Sequence, residues 1–114
     1  GANILVNITN DAWYGVSSAP YQHAQMASWR CIECRTPMLR AANTGVSAIY
    51  DALGQACGSV KLNEQGFLVC PVRPLNLETF YAGWGDVFAW GCTLASLGLV
   101  LLAMRGRDPR RSLA

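Results

Sequence analysis

The sequence predicts an α/β layered unit followed by one membrane-spanning helix. A short apolar run rich in β-branched residues comes first, a proline-bounded helical segment follows it, and residues 87–104 carry no charge. Strand-like and helix-like segments in alternation indicate a sheet with helices layered on it. The 18 uncharged residues form a helix about 27 Å long, close to the roughly 30 Å hydrocarbon core of a bilayer.

The first strand is Ile4-Leu5-Val6-Asn7-Ile8, ended by Asn10-Asp11, and its apolar character predicts burial on both faces. A loop over 10–18 carries Trp13 and Tyr14. Pro20 suits the first turn of a helix, where its missing N–H has no partner to lose, and Pro37 cannot continue one, so a helix is predicted over 20–35. Within it Ala24, Ala27, Cys31 and Cys34 fall on one narrow stripe of small side chains suited to close packing on a sheet. Residues 38–42, 46–50, 55–60 and 67–72 are further short strands separated by Gly, Asn or Asp, with Asp51-Ala52-Leu53-Gly54 as a hairpin turn. One helix beside four or five strands makes two layers with the helix on one sheet face, and the other face needs a partner. The chain opens Gly1-Ala2-Asn3 and runs straight into a strand of central character, so it is expected to be the C-terminal piece of something longer.

With 114 residues, 52% hydrophobic and 14% charged, the chain is neither disordered nor two independent domains. The net charge of +2 is unevenly spread: residues 1–86 carry five basic and six acidic groups, residues 105–114 four Arg and one Asp. Basicity confined to a tail argues against a nucleic-acid-binding face. Fourteen of the 18 residues in 87–104 are hydrophobic, the rest being Gly91, Thr93, Ser96 and Gly98, and the polar face of a core helix is missing. Tyr81 and Trp84 stand where an interfacial aromatic belt would, and Arg105, Arg107, Arg110 and Arg111 follow the span. The positive-inside rule then makes the tail cytoplasmic and the globular part periplasmic in a bacterial cell. A signal peptide is excluded, since the apolar run is C-terminal and its basic flank follows it. Gly91, Ala95 and Gly98 share one helical face; helix packing and the ordinary frequency of glycine in membrane helices both account for them. The expected division is a globular part over 1–80, a juxtamembrane segment over 81–86, the span over 87–104 and a basic cytoplasmic tail over 105–114.

Several signals bear on chemistry. Cys31-Ile32-Glu33-Cys34 has the spacing of redox pairs and zinc knuckles, but no second pair and no suitable His completes a site, and buried small side chains are the simpler reading. An oxidising compartment would permit a disulfide between Cys57 and Cys70, and the sequence leaves this open. His23 is either a general base or a hydrogen-bonded structural residue. Arg30 and Glu33 are helix neighbours that most simply pair. Asn7-Ile8-Thr9 fits the glycosylation pattern but lies in the first strand and is set aside. The loop of Asn10, Asp11, Trp13 and Tyr14 is the stronger pointer, because strand carboxyl ends face the ligand in layered α/β folds. The alternative is an Asn-Asp turn with its aromatics packed as a lid on the core.

Two strings, Val6-Asn7-Ile8-Thr9-Asn10-Asp11-Ala12-Trp13-Tyr14-Gly15 and Pro20-Tyr21-Gln22-His23-Ala24-Gln25-Met26-Ala27, closely resemble the bacterial apolipoprotein N-acyltransferases. Arg30-Cys31-Ile32-Glu33, Arg40-Ala41-Ala42-Asn43-Thr44-Gly45-Val46-Ser47 and Asp51-Ala52-Leu53-Gly54 are similar to the wider nitrilase, or carbon-nitrogen hydrolase, superfamily. Thr79-Phe80-Tyr81-Ala82-Gly83-Trp84-Gly85-Asp86 before a final membrane helix resembles the acyltransferase branch, and the likeness covers nearly all the chain. It implies the C-terminal part of a nitrilase-like αββα sandwich followed by one transmembrane helix. It also implies a Glu-Lys-Cys triad that takes an acyl chain from phospholipid as a thioester and passes it to the α-amine of a diacylglyceryl-cysteine on a lipoprotein. The implied partners are thus a phospholipid donor, a diacylglyceryl-lipoprotein acceptor and the bacterial inner membrane, with no nucleic acid, no metal and no other cofactor.

None of the triad matches a residue of this chain: Cys31, Cys34, Cys57, Cys70, Cys92, Lys61 and Glu33 all fall outside the family's catalytic motifs. The chain alone is therefore expected to be inactive. Asn10, Asp11, Trp13 and Tyr14 match the family's loop beside the active site and are expected to shape the acyl pocket. Departures are Cys31 and Cys34, where Ala and a small or polar residue are usual, and Asn43-Thr44-Gly45 in place of a commoner Asn-Asn-Gly. The alternatives are a membrane-tethered amidohydrolase of the same superfamily and a non-enzymatic tail-anchored thiol or metal-binding module built on Cys31 and Cys34.

Overall fold

The computed structural model describes residues 2–75 and 77–106. The described chain falls into two units, divided between Gly83 and Trp84.

The first unit is a four-stranded mixed sheet with one long helix against it. Strand β1 (Leu5–Asn10) leads through a 3-10 turn (Ala12–Tyr14) into helix α1 (Ala19–Cys34), and the chain returns as β2 (Met38–Asn43). β1 and β2 are parallel, as a crossover helix requires, with Leu5 beside Met38 and Asn7 beside Arg40. β3 (Ser47–Tyr50) and β4 (Ala56–Val60) add antiparallel hairpins, giving the order β1-β2-β3-β4.

Helix α1 starts with Pro20 in its first turn and ends where Arg35 turns left-handed at φ 50°. The Thr36 amide then donates to the Cys31 carbonyl at 3.2 Å, and Pro37 stops further helix. Ala24 and Cys31, from the stripe of small residues, are buried against the sheet, with Ala27 packed alongside. Cys31, Met38, Ala48 and Tyr50 form the core, and the Tyr50 hydroxyl donates to the Ala24 carbonyl at 3.2 Å. The Asp51–Gly54 turn is present, with the Gly54 amide bonded to the Asp51 carbonyl at 3.0 Å and Gly54 at φ +74°. Thr79 and Tyr81 clasp the far end of α1. The Thr79 hydroxyl donates to the Glu33 carbonyl at 2.5 Å, and Arg30 Nη1 donates to the Tyr81 hydroxyl at 3.0 Å.

Two expectations are corrected. β1 is not buried on both faces among the described residues: Leu5, Asn7 and Thr9 face the α1 side, while Val6 and Ile8 are 67% and 82% exposed on the other. The apolar residues on both sides of Asn7 pointed to a strand with two covered faces, and the described residues supply cover for one. Residues 67–72 are not a strand; they run as an unpaired strap after β4, because apolar content without a hydrogen-bonding neighbour does not make a ladder. Cys57 and Cys70 are joined as a disulfide, with Cys57 in β4 and Cys70 in this strap.

The second unit contains α3 (Val87–Gly106), 20 residues long and apolar enough to cross a membrane. It extends two residues past the uncharged 87–104 stretch, and the Thr93 hydroxyl is satisfied within it by the Ala89 carbonyl at 2.8 Å. A five-residue helix, α2 (Phe80–Trp84), precedes it in the chain, with its first four residues in the first unit. Most of the basic tail lies outside the described residues.

The turn between β2 and β3 holds Thr44 at φ 59°. A β-branched side chain is disfavoured there and Asn is tolerated, because the left-handed region crowds Cβ against the carbonyl oxygen. Thr44→Asn is accordingly expected to stabilise the full chain by about 1 kcal/mol, seen as a raised melting temperature in detergent; an unchanged or lowered value would contradict this account of the turn.

Candidate functional site

The loop leaving β1 is built around a buried carboxylate. Asp11 follows the last residue of the strand and is 1% exposed; Arg40, in the middle of β2, is 3% exposed. The β1–β2 register places Asn7 next to Arg40 on the face that α1 covers. Arg40 Nη2 donates to Asp11 Oδ2 at 2.9 Å, its Nη1 donates to Asn7 Oδ1, and its Nε donates to the Val46 carbonyl at 3.2 Å. The second carboxylate oxygen meets His23 Nδ1 from α1 at 2.9 Å and the Thr9 hydroxyl at 3.3 Å. Arg40 Nη2 is also 3.3 Å from His23 Nδ1. One ring nitrogen cannot donate to Asp11 and accept from Arg40 together, and the shorter, better charge-matched contact assigns the Nδ1 proton to Asp11.

This network joins the end of β1, the centre of β2, the middle of α1 and the turn before β3. A buried ion pair survives only when its remaining donors and acceptors are filled, and each arm of the Arg40 fork has an acceptor. Gly45 permits the fit: a Cβ there would lie 2.7 Å from Asp11 Cβ and 2.8 Å from its Cγ.

Local hydrogen bonds shape the rest of the loop. Asn10 Oδ1 accepts from the Ala12 amide at 3.1 Å, the Tyr14 amide donates to the Asp11 carbonyl at 3.1 Å, and the Ser17 hydroxyl donates to the Tyr14 carbonyl at 2.8 Å. Trp13 is left 82% exposed and Tyr14 partly so, with the Tyr14 ring edge-on to His23 at 6.0 Å between centroids. The four loop residues thus divide: Asp11 anchors, Asn10 sets the turn, and Trp13 and Tyr14 stand outside. The aromatics do not close over the core as a lid. Asn7, His23 and Arg40 were not expected as partners of Asp11. The one available signal was a cation within the otherwise apolar run Met38-Leu39-Arg40-Ala41-Ala42, which needs a carboxylate if that strand is buried.

Cys31, the buried member of the pair on α1, lacks the marks of a reactive site. Cys31 is fully buried, its thiol donates to the Ala27 carbonyl at 3.7 Å, and its pKa rises from 9.0 to about 11, chiefly through burial and secondarily through Asp51. A thiol held protonated is a poor nucleophile and a poor metal ligand. Among the described residues no three His, Cys, Asp or Glu side chains gather as metal ligands would. Arg30 pairs with Glu33 at 2.9 Å; its pKa is raised first by the Tyr81 hydrogen bond and then by Glu33.

Residues 1–79 match the family model described as carbon-nitrogen hydrolase. An apolipoprotein N-acyltransferase of Geobacter metallireducens is 48% identical over 108 residues, covering 95% of this chain and 21% of the relative. One from Bradyrhizobium diazoefficiens is 43% identical over 94% of this chain and 19% of its own length. Another, from Methylococcus capsulatus, is 43% identical over 89% of this chain and 20% of its own length. The chain therefore spans about a fifth of the length of these curated relatives.

Two outcomes follow from this geometry. Gly45→Ala should lower the stability of the full chain by about 3 kcal/mol by forcing apart the buried ion pair, measured by chemical denaturation; a loss below about 0.5 kcal/mol would mean that the pair does not constrain the fold. Cys31 has a folded pKa above its unfolded one, so its contribution is complete below about pH 9 and lost as pH rises through about 11. Tyr50, also raised by burial, adds to the loss at the alkaline end. Cys31→Ala should therefore flatten the fall in stability between pH 9 and 11, and an unaltered slope would show that the thiol is not buried.

Proposed function

This chain belongs to the carbon-nitrogen hydrolase family, and from that membership we propose that it forms the C-terminal part of an apolipoprotein N-acyltransferase. In this reading a nucleophilic thiol outside these residues accepts an acyl chain from phospholipid. The thioester carbonyl is then attacked by the α-amine of a diacylglyceryl-cysteine at a lipoprotein N-terminus, forming the amide and releasing the thiol. The residues described here bind and position. Asp11, clamped by Arg40 and His23, holds the turn from which Trp13 and Tyr14 project, and these two aromatics shape the wall along which the acyl chain lies.

One observation carries the choice of branch within the family. The Geobacter relative aligns with 108 of the 114 residues, leaving at most six outside, so the likeness runs through the apolar helix as well as the 1–79 region. An amidohydrolase acting on a soluble amide gives no reason for the juxtamembrane segment and span to be shared. We place the globular part, 1–80, in the periplasm and the segment 81–86 at the interface. The helix from residue 87 crosses the inner membrane, and the Arg-rich tail to residue 114 lies in the cytoplasm, as the positive-inside rule requires.

The uncovered sheet face fits the same reading. Val6, Ile8, Leu39, Ala41 and Ile49 line an open apolar groove on the side away from α1. We assign its cover to a second sheet from polypeptide of the same protein outside these residues. The relatives are about five times longer than the chain, ample for the other half of an αββα sandwich.

The test is acyl transfer from phospholipid to a diacylglyceryl-lipopeptide by the full-length protein containing this chain. Trp13→Ala should lower kcat/KM about tenfold, equivalent to about 1.4 kcal/mol of transition-state binding, and Trp13→Phe should retain most of it. Unchanged kinetics in Trp13→Ala would make the loop purely structural. A full-length protein that hydrolyses soluble amides and transfers no acyl group would overturn the proposed function in favour of the amidohydrolase.

A further inference from the structure

Residues 61–75 have little backbone support among the described residues. The Asn63 amide donates to the Thr44 carbonyl at 2.8 Å and the Glu64 amide to the Lys61 carbonyl at 3.1 Å; beyond these, among the described residues, no backbone hydrogen bond holds 65–75. This strap nevertheless carries Phe67 and Leu68 along the open sheet face, where they wall one side of a groove of about 370 Å³ shared with Val6, Ile8 and Leu39. It packs closely on β4. Leu68 Cδ2 lies 3.3 Å from where a Cβ on Gly58 would stand, and Val60 Cγ2 lies 3.2 Å from where one on Gly66 would stand. What fastens the strap is covalent: the Cys57–Cys70 disulfide, with Cα atoms 6.4 Å apart, closes a loop of sequence separation 13.

We propose that Cys57 and Cys70 are an oxidative-folding site, closed by exchange with a disulfide-bearing oxidant in an oxidising compartment, and that this closure seats the 61–70 strap as a wall of the sheet-face groove. In the exchange one thiol of the pair loses its proton and attacks the oxidant's disulfide. The second thiolate then displaces the oxidant from the mixed disulfide, so one Sγ–Sγ bond forms here, one breaks there, and the oxidant leaves as a dithiol carrying both electrons. Access favours this pair over the other thiols. Cys57 is exposed and Cys70 half-buried, whereas Cys31 is fully buried and Cys92 sits within the apolar helix α3. Cys34, also half-buried, is the competitor. The mechanism is loop closure. An unbridged strap has a large ensemble to lose on packing and no ladder to reward it, and the cross-link removes that freedom beforehand. The proposal does not rest on acyl transfer; it shares with that reading only the side of the membrane on which the globular unit stands.

The test uses the full chain in membranes prepared from cells with an oxidising envelope. After acid quenching and denaturation, labelling with maleimide-polyethylene glycol should add two more groups when reduction precedes it. The Cys57→Ser/Cys70→Ser variant should lose that difference, and a non-reducing digest should contain the Cys57–Cys70 linked peptide. Native reduction of the wild-type chain should raise tryptic cleavage after Lys61, at the start of the strap, about tenfold, with cleavage after Arg30 and Arg35 in and beside α1 unchanged. Should the double variant fail to fold, native reduction of the wild type decides alone. Complete labelling of Cys57 and Cys70 without reductant, linkage of either to Cys34, or unaltered cleavage at Lys61 after verified reduction would each overturn the proposal.

Discussion

The ion pair between Asp11 and Arg40 is the constraint on which the globular unit depends. Neither side chain has water to return to, so their desolvation is offset only while every arm of the network holds its partner. The partners come from four places in the chain: Asn7 in β1, His23 in α1, Arg40 in β2, and Val46 at the start of the next hairpin. A shift of β1 by one residue against β2 would turn Asn7 away from Arg40 and leave a buried cation short of an acceptor. Hydrophobic contact in the Cys31, Met38, Ala48 and Tyr50 core drives the layers together, and the inside-outside alternation of β1 already disfavours a one-residue slip. The polar network adds to that preference, because a slip would leave Arg40 short of its Asn7 acceptor.

The same network explains how a large apolar side chain stands in solvent. Trp13 is held out on a short turn whose neighbour Asp11 is immobilised beneath it and whose backbone is tied by Asn10, Asp11 and Ser17. Left on a free loop, an indole would fold back onto the nearest apolar surface. Fixing the backbone on both sides prevents that collapse, and a rigid exposed aromatic loses little entropy when a ligand covers it.

How much of this could be read from residues alone depended on range. β1, α1, β2, β3, β4 and the Asp51–Gly54 turn were legible because periodicity, Pro20, Pro37 and the turn glycine act within a few positions. The aromatic pair was legible for the same reason, as neighbours after a strand end. The partners of Asp11 were not, because the pairing of Asp11 with Arg40 spans 29 residues and exists only once the parallel register is set. Residues 67–72 misled by being apolar for a different reason than ladder formation: Phe67 and Leu68 lie along the sheet face in the strap and pair with no strand. Thr44 shows the reverse case, a local misfit visible only when its positive φ is known.

The five cysteines make the general point about chemistry and position. Cys31 and Cys34 have the spacing that most suggests reactivity, yet the turn of helix that brings them together also points Cys31 into the core, where burial holds its thiol protonated. Cys57 and Cys70, 13 residues apart and left open as a pair by the sequence, are the ones that bond, since one lies on an edge strand and the other in a strap that passes over it. Spacing along a chain selects which thiols can meet. Desolvation and backbone pairing then decide whether a thiol remains inert or becomes a cross-link, so for α1 the spacing of Cys31 and Cys34 matters less to chemistry than the sheet packed beneath them.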